Sequence, residues 1–493
     1  MESIVNGGAE VMPEDAVSGQ AHEQSVLTLT GSLGTFDIVF TVLAYNAPLT
    51  VVTGFLPLIL SKGNGLGAPV TFVIAGTLML LFSVGFTTMT RHVPNAGAFY
   101  AYITAGLGRP LGLGSAFIAI LSYAFMMTGM YLYIGVTYGS LAKSIFGDSP
   151  LLWWEWSLLL FSIVGILGYM RISLSAKVLT VALVCEILLV FAWEIAIVAH
   201  KGMASLSPVW LTPGAATSGS VGVGILLGVT SFAGFEATAV FREEARRPDV
   251  TVPRATYLSI FLMSATFASA AYFLIVAYGP RIAVATAAAE GPATSINSIG
   301  AFLGTAGLET VSVLLCSSCF AACLAMHNIL SRYIYSLGID GTLPRAFAAI
   351  HERHGSPHRA SLLVSLASLI ALLVLITKSV DPYAVYGILT GAGGYALLLL
   401  EILTSLSVLV YFIRKGHVSA RWKTRYAPLA SFVALCATGW LATTNMQLLT
   451  GAKESAIVLP LFIFAALVTG VLYALRLRKS NPGVYQAIGR QNI

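Results

Sequence analysis

The sequence predicts an all-α polytopic membrane protein of about twelve transmembrane helices, with the first and the sixth broken in mid-membrane. Three observations predict it. Of 493 residues, 57% are hydrophobic and 10% charged, with a mean hydropathy of +0.84, whereas soluble domains carry roughly a quarter charged residues. Apolar runs such as 71–90, 178–198 and 455–475 recur down the whole chain, each matching the roughly 20 residues that cross about 30 Å of hydrocarbon as a helix. Two of the runs carry helix-breaking residues at corresponding places, five spans apart.

In chain order, residues 1–30 come first. They hold five acids (Glu2, Glu10, Glu14, Asp15, Glu23) and no Lys or Arg, so they lack the basic start of a secretory signal and read as a polar tail. Spans follow near 33–61, 68–90, 111–142, 151–170, 173–200, 219–242, 254–279, 305–337, 360–377, 383–412, 427–447 and 455–475. With the N-terminus placed in the cytoplasm, the inner loops and tail take 21 of the 27 basic residues. That asymmetry is the positive-inside signal and predicts cytoplasmic termini in a cell membrane. The net charge of +6 is then a topology signal, and no nucleic-acid partner is expected. Trp153, Trp154 and Trp156 cluster at one helix end, as an interfacial aromatic belt requires. All five cysteines (Cys185, Cys316, Cys319, Cys323, Cys436) fall inside apolar runs and read as small hydrophobes. Cys316, Cys319 and Cys323 share a helix face, which suits either a metal or close packing; no His or carboxylate accompanies them, and no metal or other cofactor is expected.

The breaks point to a site. In the first span Pro48, within Tyr45-Asn46-Ala47-Pro48-Leu49-Thr50, removes an amide donor and clashes with the preceding turn. In the sixth, Ser231-Phe232-Ala233-Gly234-Phe235-Glu236 sets a glycine and an ionisable group in an apolar span. Either feature alone is a tolerated kink. Together they open two successive five-span blocks, 33–200 and 219–412, and an odd-numbered block followed by its copy has opposite topology. Broken first helices of inverted repeats mark a binding site at the bilayer midplane. A mid-membrane carboxylate costs about 2.5–3.5 kcal/mol on insertion scales, so Glu236 needs a cavity, a proton or a cationic partner. Glu186, Glu194, Glu401 and Asp37 pose the same question, with Glu194 and Asp37 nearer helix ends.

Four stretches carry a family resemblance. SFAGFEATAVFREEARRPDVTVPR (Ser231 to Arg254) resembles the sixth span and following loop of amino acid–polyamine–organocation (APC) superfamily permeases. PNAGAFYAYITAGLGRPLG (Pro94 to Gly112) is similar to their loop between spans two and three. RYIYSLGIDGTLPRAF (Arg332 to Phe347) resembles the loop after span eight, and SPHRA (Ser356 to Ala360) the entry to span nine. The resemblance implies a five-plus-five inverted repeat followed by two trailing helices, alternating access, and substrate held between spans one, three, six, eight and ten. On this chain the expected units are 31–205 and 206–415 for the repeats and 416–478 for the trailing pair, with cytoplasmic tails at 1–30 and 479–493. The implied function is secondary active transport of amino acids or related small amines.

The chain departs from that pattern twice. Where the family has a glycine-serine-glycine turn in span one, whose amides hold the substrate α-carboxylate, Asn46, Ala47 and Pro48 stand here. The amides left are those of Leu49, Thr50 and Val51. An alternative substrate class is therefore a polyamine or monoamine with no α-carboxylate. Proton-coupled relatives also carry a lysine eleven residues after the first serine of an S-A-K-V motif; counting from Ser175, that position holds Glu186. The candidate substrate-binding residues are Tyr45, Asn46, Ala47, Leu49 and Thr50 in span one and Ser231, Phe232, Gly234, Phe235 and Glu236 in span six. Phe232 is expected to close over the substrate, since an aromatic face attracts an ammonium group. Glu186, Ser317 and Ser318 are the ion-coupling candidates, for a proton ahead of sodium; helix packing is the competing role for the two serines.

Two other classes fit less well. The run Thr390-Gly391-Ala392-Gly393-Gly394-Tyr395 faintly resembles a channel filter but has no pore helix before it, and packing through small residues explains it better. No H-E-x-x-H or G-x-S-x-G motif occurs, so an enzyme is not expected. His351, His354 and His358, in a basic loop, suit either a metal or solvent.

Overall fold

The computed structural model describes residues 33–93, 98–170, 176–206, 208–240, 242, 245–416 and 420–489, without the side chains of Tyr45, Ala98, Ala176, Lys177, Val209 and Val240. The tail 1–30 lies outside the described residues. Those described are almost wholly helical, with one isolated β-bridge, Leu33 to Ala245, among them. Among the described residues ten helices are long and apolar enough to cross a membrane, and two shorter apolar helices, Trp153–Tyr169 and Val221–Thr230, stand where the fourth and sixth spans are expected. The expected order holds to within a few residues at most boundaries: Thr35–Lys62, Ala68–His92, Arg109–Phe146, Trp153–Tyr169, Ala176–Lys201, Val221–Thr230 with Ala237–Val240, Pro248–Tyr278, Ala293–Ile339, His358–Thr377, Pro382–Arg414, Ala427–Thr444 and Lys453–Ser480.

The differences have local causes. Span eight starts where expected, after Gly304, whose φ of +69° and ψ of −164° separate it from a preceding helix that begins at Ala293. Only glycine takes such a conformation at no steric cost. Further short helices flank the spans, among them Ala98–Leu107 before span three, Ala283–Glu290 before span eight and Pro482–Ala487 after span twelve. The last belongs to the segment read as a plain tail. It is tied down: Tyr100 Oη donates to Asp340 Oδ2 at 2.7 Å and accepts from the Gly489 amide at 2.8 Å, with Ile488 fully buried beside them.

Burial grades the spans from centre to rim. The apolar window of span one is 82% buried and that of span twelve 11%, so the first is the axis of the bundle and the last presents its apolar side chains outward. Span ten lies against spans three and six through its glycines. A Cβ on Gly394 would meet Thr230 Oγ1 at 1.9 Å, and one on Gly393 would meet the Ser122 carbonyl oxygen at 2.7 Å. The glycines of the run from Thr390 to Tyr395 therefore form a packing surface inside one continuous helix.

Candidate functional site

The break in span one is more than a proline kink. Helix Thr35–Asn46 ends on Ala47, which takes a left-handed conformation with φ +55°. Left-handed geometry is uncommon for a residue with a Cβ, so the chain holds it only because its surroundings demand it. Pro48 then starts a new helix, where its missing amide is harmless, and Val51–Phe55 forms one π-helical turn. Two contacts brace that turn: Ser295 Oγ donates to the Val52 carbonyl at 2.7 Å and Tyr133 Oη to Thr53 Oγ1 at 2.7 Å. Span six breaks opposite. Val221–Thr230 unwinds into turns over 231–236, with Gly234 at φ +105°, before helix resumes at Ala237.

Asn46 joins the two breaks. Its Nδ2 donates to the Ser231 carbonyl at 2.6 Å and the Ala233 carbonyl at 3.1 Å. The Oδ1 of the same side chain is buried with no hydrogen-bond partner among the described residues. A cavity of about 40 Å³ lies here, lined by Asn46, Ala47 and Thr50, by Ser231 and Ala233, by Met126 and Met130 of span three, by Ala322 and Met326 of span eight, and by Thr390 of span ten. A water's share of liquid is roughly 30 Å³, so this space suits a water, and a solute must part the helices to enter. A larger recess of about 500 Å³ opens on the loop face around Gly63, Ala215 and Pro280; it carries no charged side chain and lies apart from both breaks.

The amides of the span-one break are already engaged. Leu49 N–H donates to Glu186 Oε2 at 3.0 Å, while Thr50 N–H and Val51 N–H donate to the Ala47 carbonyl at 2.9 and 3.3 Å. Glu186 thus holds the N-terminus of the second half-helix, where a carboxylate also gains from the helix dipole. Ser318 faces the same carboxylate, and Thr50 Oγ1 lies 3.4 Å from Ser318 Oγ. Spans one, five and eight meet at this point. Ser317 is elsewhere: it is exposed and bonds back to the Leu314 carbonyl at 2.8 Å.

Span six has its own carboxylate. Glu236 is buried, its Oε2 accepts the Gly234 amide at 2.8 Å, and its Oε1 accepts from Tyr123 Oη of span three. Glu236 therefore orders the break. Phe232 and Phe235 do not line the cavity. Both are fully buried, Phe232 against Phe267 of span seven at 6.1 Å and Phe235 between Phe82 and Phe86 of span two at 5.9 and 5.8 Å. They point from the break toward the second and seventh spans, so the expected Phe232 lid is replaced here by a packing role. Tyr45's side chain is outside the described residues.

Charge balance in this interior is one-sided. Glu186, Glu236 and Glu401 are all buried. Among the described residues the ion pairs are Arg91 with Asp249 and Arg242 with Asp249, near the loop after span six. Asp37 is exposed and caps its own helix through the Gly34 amide at 2.8 Å. Sequence reading missed Met126, Met130, Met326 and Thr390, because nothing in a helix marks which apolar face meets a cavity. Tyr123 gave no signal either.

Sequence comparison shows the family. A sequence profile described as "amino acid permease" matches residues 33–472. The low-affinity putrescine importer PlaP of Escherichia coli strain K12 is 24% identical over 475 residues, covering 93% of this chain and 96% of that protein. An uncharacterized transporter of Mycobacterium bovis is 23% identical over 273 residues, half of this chain and 57% of its own. Another, from Mycobacterium tuberculosis strain H37Rv, is 30% identical over 134 residues, 27% of this chain and 29% of its own.

Proposed function

The chain belongs to the amino acid permease family and is a multi-pass membrane transporter for amino acids or polyamines; from that premise we propose that its solute is a small aliphatic amine with no required α-carboxylate. One observation carries the reading. The Leu49 amide, which a substrate carboxylate would need, is taken by Glu186, Pro48 has no amide, and the Thr50 and Val51 amides close onto Ala47. A carboxylate entering the cavity would meet no open backbone donor in span one. What it would meet is the unpartnered Oδ1 of Asn46 and carbonyl oxygens, with the carboxylates of Glu186 and Glu236 bonded to the backbone of the two breaks behind them. That lining suits an ammonium group, whose N–H bonds need acceptors and whose charge offsets the carboxylates. The similarity to a protein named as a putrescine importer over nearly its whole length supports the same reading.

The rest of the mechanism follows as part of this proposal. Residues 31–205 and 206–415 act as two inverted repeats that rock about the breaks, with 416–478 as trailing helices, and the solute is exposed to each side in turn. The chain sits in the cell membrane with both termini cytoplasmic, as its 21 inner basic residues support. Glu186, where spans one, five and eight meet, is the proton-coupling group. When a proton neutralises it, its hold on the Leu49 amide weakens and the second half-helix is freed to tilt.

Matched pairs of solutes test the amine reading. Ligand binding raises thermal stability by RT ln(1 + [L]/Kd), so the purified protein is titrated with putrescine against ornithine and with cadaverine against lysine. The decarboxylated member of each pair is expected to stabilise more. Equal or stronger stabilisation by the amino acids would overturn the reading.

A further inference from the structure

Between Glu401 and Glu454 the chain has no Asp or Glu, yet it carries Arg414, Lys415, Arg421, Lys423, Arg425 and Lys453. All but Lys453 fall where span ten ends and span eleven begins. Helix there starts at Arg421 and runs through one π-helical turn, Trp422–Tyr426, into Ala427–Thr444. Arg421, Lys423 and Arg425 thus open a long helix, whose own dipole already places positive charge at that end. Cations gathered there are unfavourable unless an anion meets them.

The protein offers them no counter-charge. Among the described residues the ion pairs are those of Arg91 and Arg242 with Asp249, and none involves Arg421, Lys423 or Arg425. Arg414 is engaged differently, its Nη1 donating to the Gly106 carbonyl at 3.0 Å. Arg425 is the sharper case. It is half-buried, and its Nε–H is enclosed with no hydrogen-bond partner among the described residues. Leaving a charged donor buried and unmade is expensive, so an acceptor from outside the protein is needed at this place.

That place is at the depth of lipid headgroups. Span eleven packs on spans two and ten just inside it: a Cβ on Gly85 would meet Pro428 Cγ at 3.0 Å and Val408 Cγ1 at 3.3 Å, and Ser431 Oγ lies 3.1 Å from Ser405 Oγ. Arg425, three residues before Pro428 and on the same helix face, stands at the mouth of this contact. Arg421, four residues earlier, follows on the same side. The neighbouring stripe is aromatic. Trp422 and Tyr426, also four apart, are 58% and 56% exposed. In a membrane protein exposed Trp and Tyr at a helix end belong to the interface, ring toward lipid and polar edge toward headgroups. A dissolved phosphate would answer the cations but leave the rings bare. A phospholipid answers both, with a phosphate for the guanidinium forks and acyl chains for the rings.

We propose that Arg421 and Arg425 bind the headgroup phosphate of an anionic phospholipid, with Trp422 and Tyr426 against its acyl chains. The lipid supplies the counter-charge that this stretch of chain lacks and completes the joint of span eleven with spans two and ten. The site shares no residue with the lining of the Asn46 cavity, so it stands or falls independently of the amine reading.

The test uses the full chain in detergent, titrated with dioctanoyl phosphatidylglycerol, with dioctanoyl phosphatidylcholine and with inorganic phosphate, and reads Tm. Wild type is expected to gain more Tm from phosphatidylglycerol than from phosphatidylcholine, and none from phosphate at the same concentration. Arg425→Gln and Arg421→Gln should each weaken phosphatidylglycerol binding by about fivefold, the scale of one basic residue at an anionic surface. Arg425→Lys, which keeps the charge without the fork, should fall between. Arg478→Gln, at an exposed position on the same membrane face at the end of span twelve, should bind as wild type does. Equal stabilisation of wild type by the two lipids overturns the proposal, and so does a phosphatidylglycerol affinity that survives Arg425→Gln. An equal loss in Arg478→Gln also overturns it, by showing attraction to a basic face without a site. Full stabilisation by phosphate alone replaces the lipid with a dissolved anion and overturns the lipid assignment. Where Arg425→Gln does not fold, the exposed Arg421→Gln gives the same comparison, and unchanged affinity there is equally fatal.

Discussion

Glu186 Oε2 accepts the Leu49 amide at 3.0 Å, so a side chain of span five holds the N-terminus of the half-helix that follows the break in span one. The contact makes Glu186 both a cap and a candidate switch, and substitution separates the roles. Glutamine keeps an oxygen that accepts the amide but cannot exchange a proton. Glu186→Gln is expected to retain amine binding and counterflow while losing accumulation driven by a proton gradient. PH-jump uptake in proteoliposomes reads this directly. Concentrative uptake by the variant under a proton gradient would show that coupling lies elsewhere.

Gly234 offers a conformational test. Its φ of +105° is closed to side chains, yet a Cβ there would meet nothing nearer than the Asn46 nitrogen at 3.9 Å. The cost of Gly234→Ala is therefore strain rather than collision, about 1–3 kcal/mol. Relaxing that strain also pulls the Gly234 amide away from Glu236. A lowered Tm together with weaker amine binding is expected. An unchanged Tm would mean that the break tolerates ordinary backbone geometry.

The C-terminal segment is tied to the bundle through Tyr100, which bonds both Asp340 and the Gly489 amide. Tyr100→Phe removes both bonds while keeping the ring. The C-terminus should then be cut faster by carboxypeptidase, with the spans unaffected. Equal protection in the variant would assign the docking to the direct bond from the Gly489 amide to Asp340 and to the buried Ile488.

Most of the fold was legible because lipid imposes a strong one-dimensional rule, some twenty apolar residues per span with basic loops on one side. Pro48 and Gly234 marked both breaks, since each changes what the backbone is able to do. The site was less legible. That Asn46 bridges the breaks, that Glu186 takes the Leu49 amide and that Tyr123 meets Glu236 are contacts between residues 113–185 positions apart, and a single sequence carries no record of such pairings. Phe232 and Phe235 show the reverse failure. Aromatic rings beside a break suggest a lid, but nothing in sequence spacing told which way the unwound turn would aim them.

Those rings now support a different expectation. Phe232 packs edge-on to Phe267 and is fully buried. Truncation to alanine should cost about 3–5 kcal/mol of stability, and the milder Phe232→Leu about 1–2 kcal/mol. In Phe232→Leu the amine Kd is expected to stay within twofold of wild type while Tm falls. A Kd that rises at constant Tm would return Phe232 to the binding site, in a conformation where the ring has swung inward.

Asn46 carries the last prediction, because its two ends do different things. The Nδ2 end satisfies the Ser231 and Ala233 carbonyls and so fastens one break to the other. The Oδ1 end is buried without a partner and faces the cavity that the amine is proposed to fill. Asn46→Ala strips both. Leaving buried carbonyls unsatisfied costs about 1–3 kcal/mol, so the ligand-free protein should melt earlier. Losing the acceptor should weaken amine binding separately, by about tenfold for one hydrogen bond to a charged donor. Asn46→Asp splits the two: it keeps acceptors in the cavity but turns a carboxylate toward two carbonyls. It should therefore be less stable than wild type when empty and gain more Tm from saturating amine. A thermal titration of the three proteins reads both effects at once. If the empty Asn46→Ala protein melts with wild type, the bridge between the breaks contributes nothing to stability. If amine stabilises Asn46→Asp less than wild type, Oδ1 does not face the ammonium.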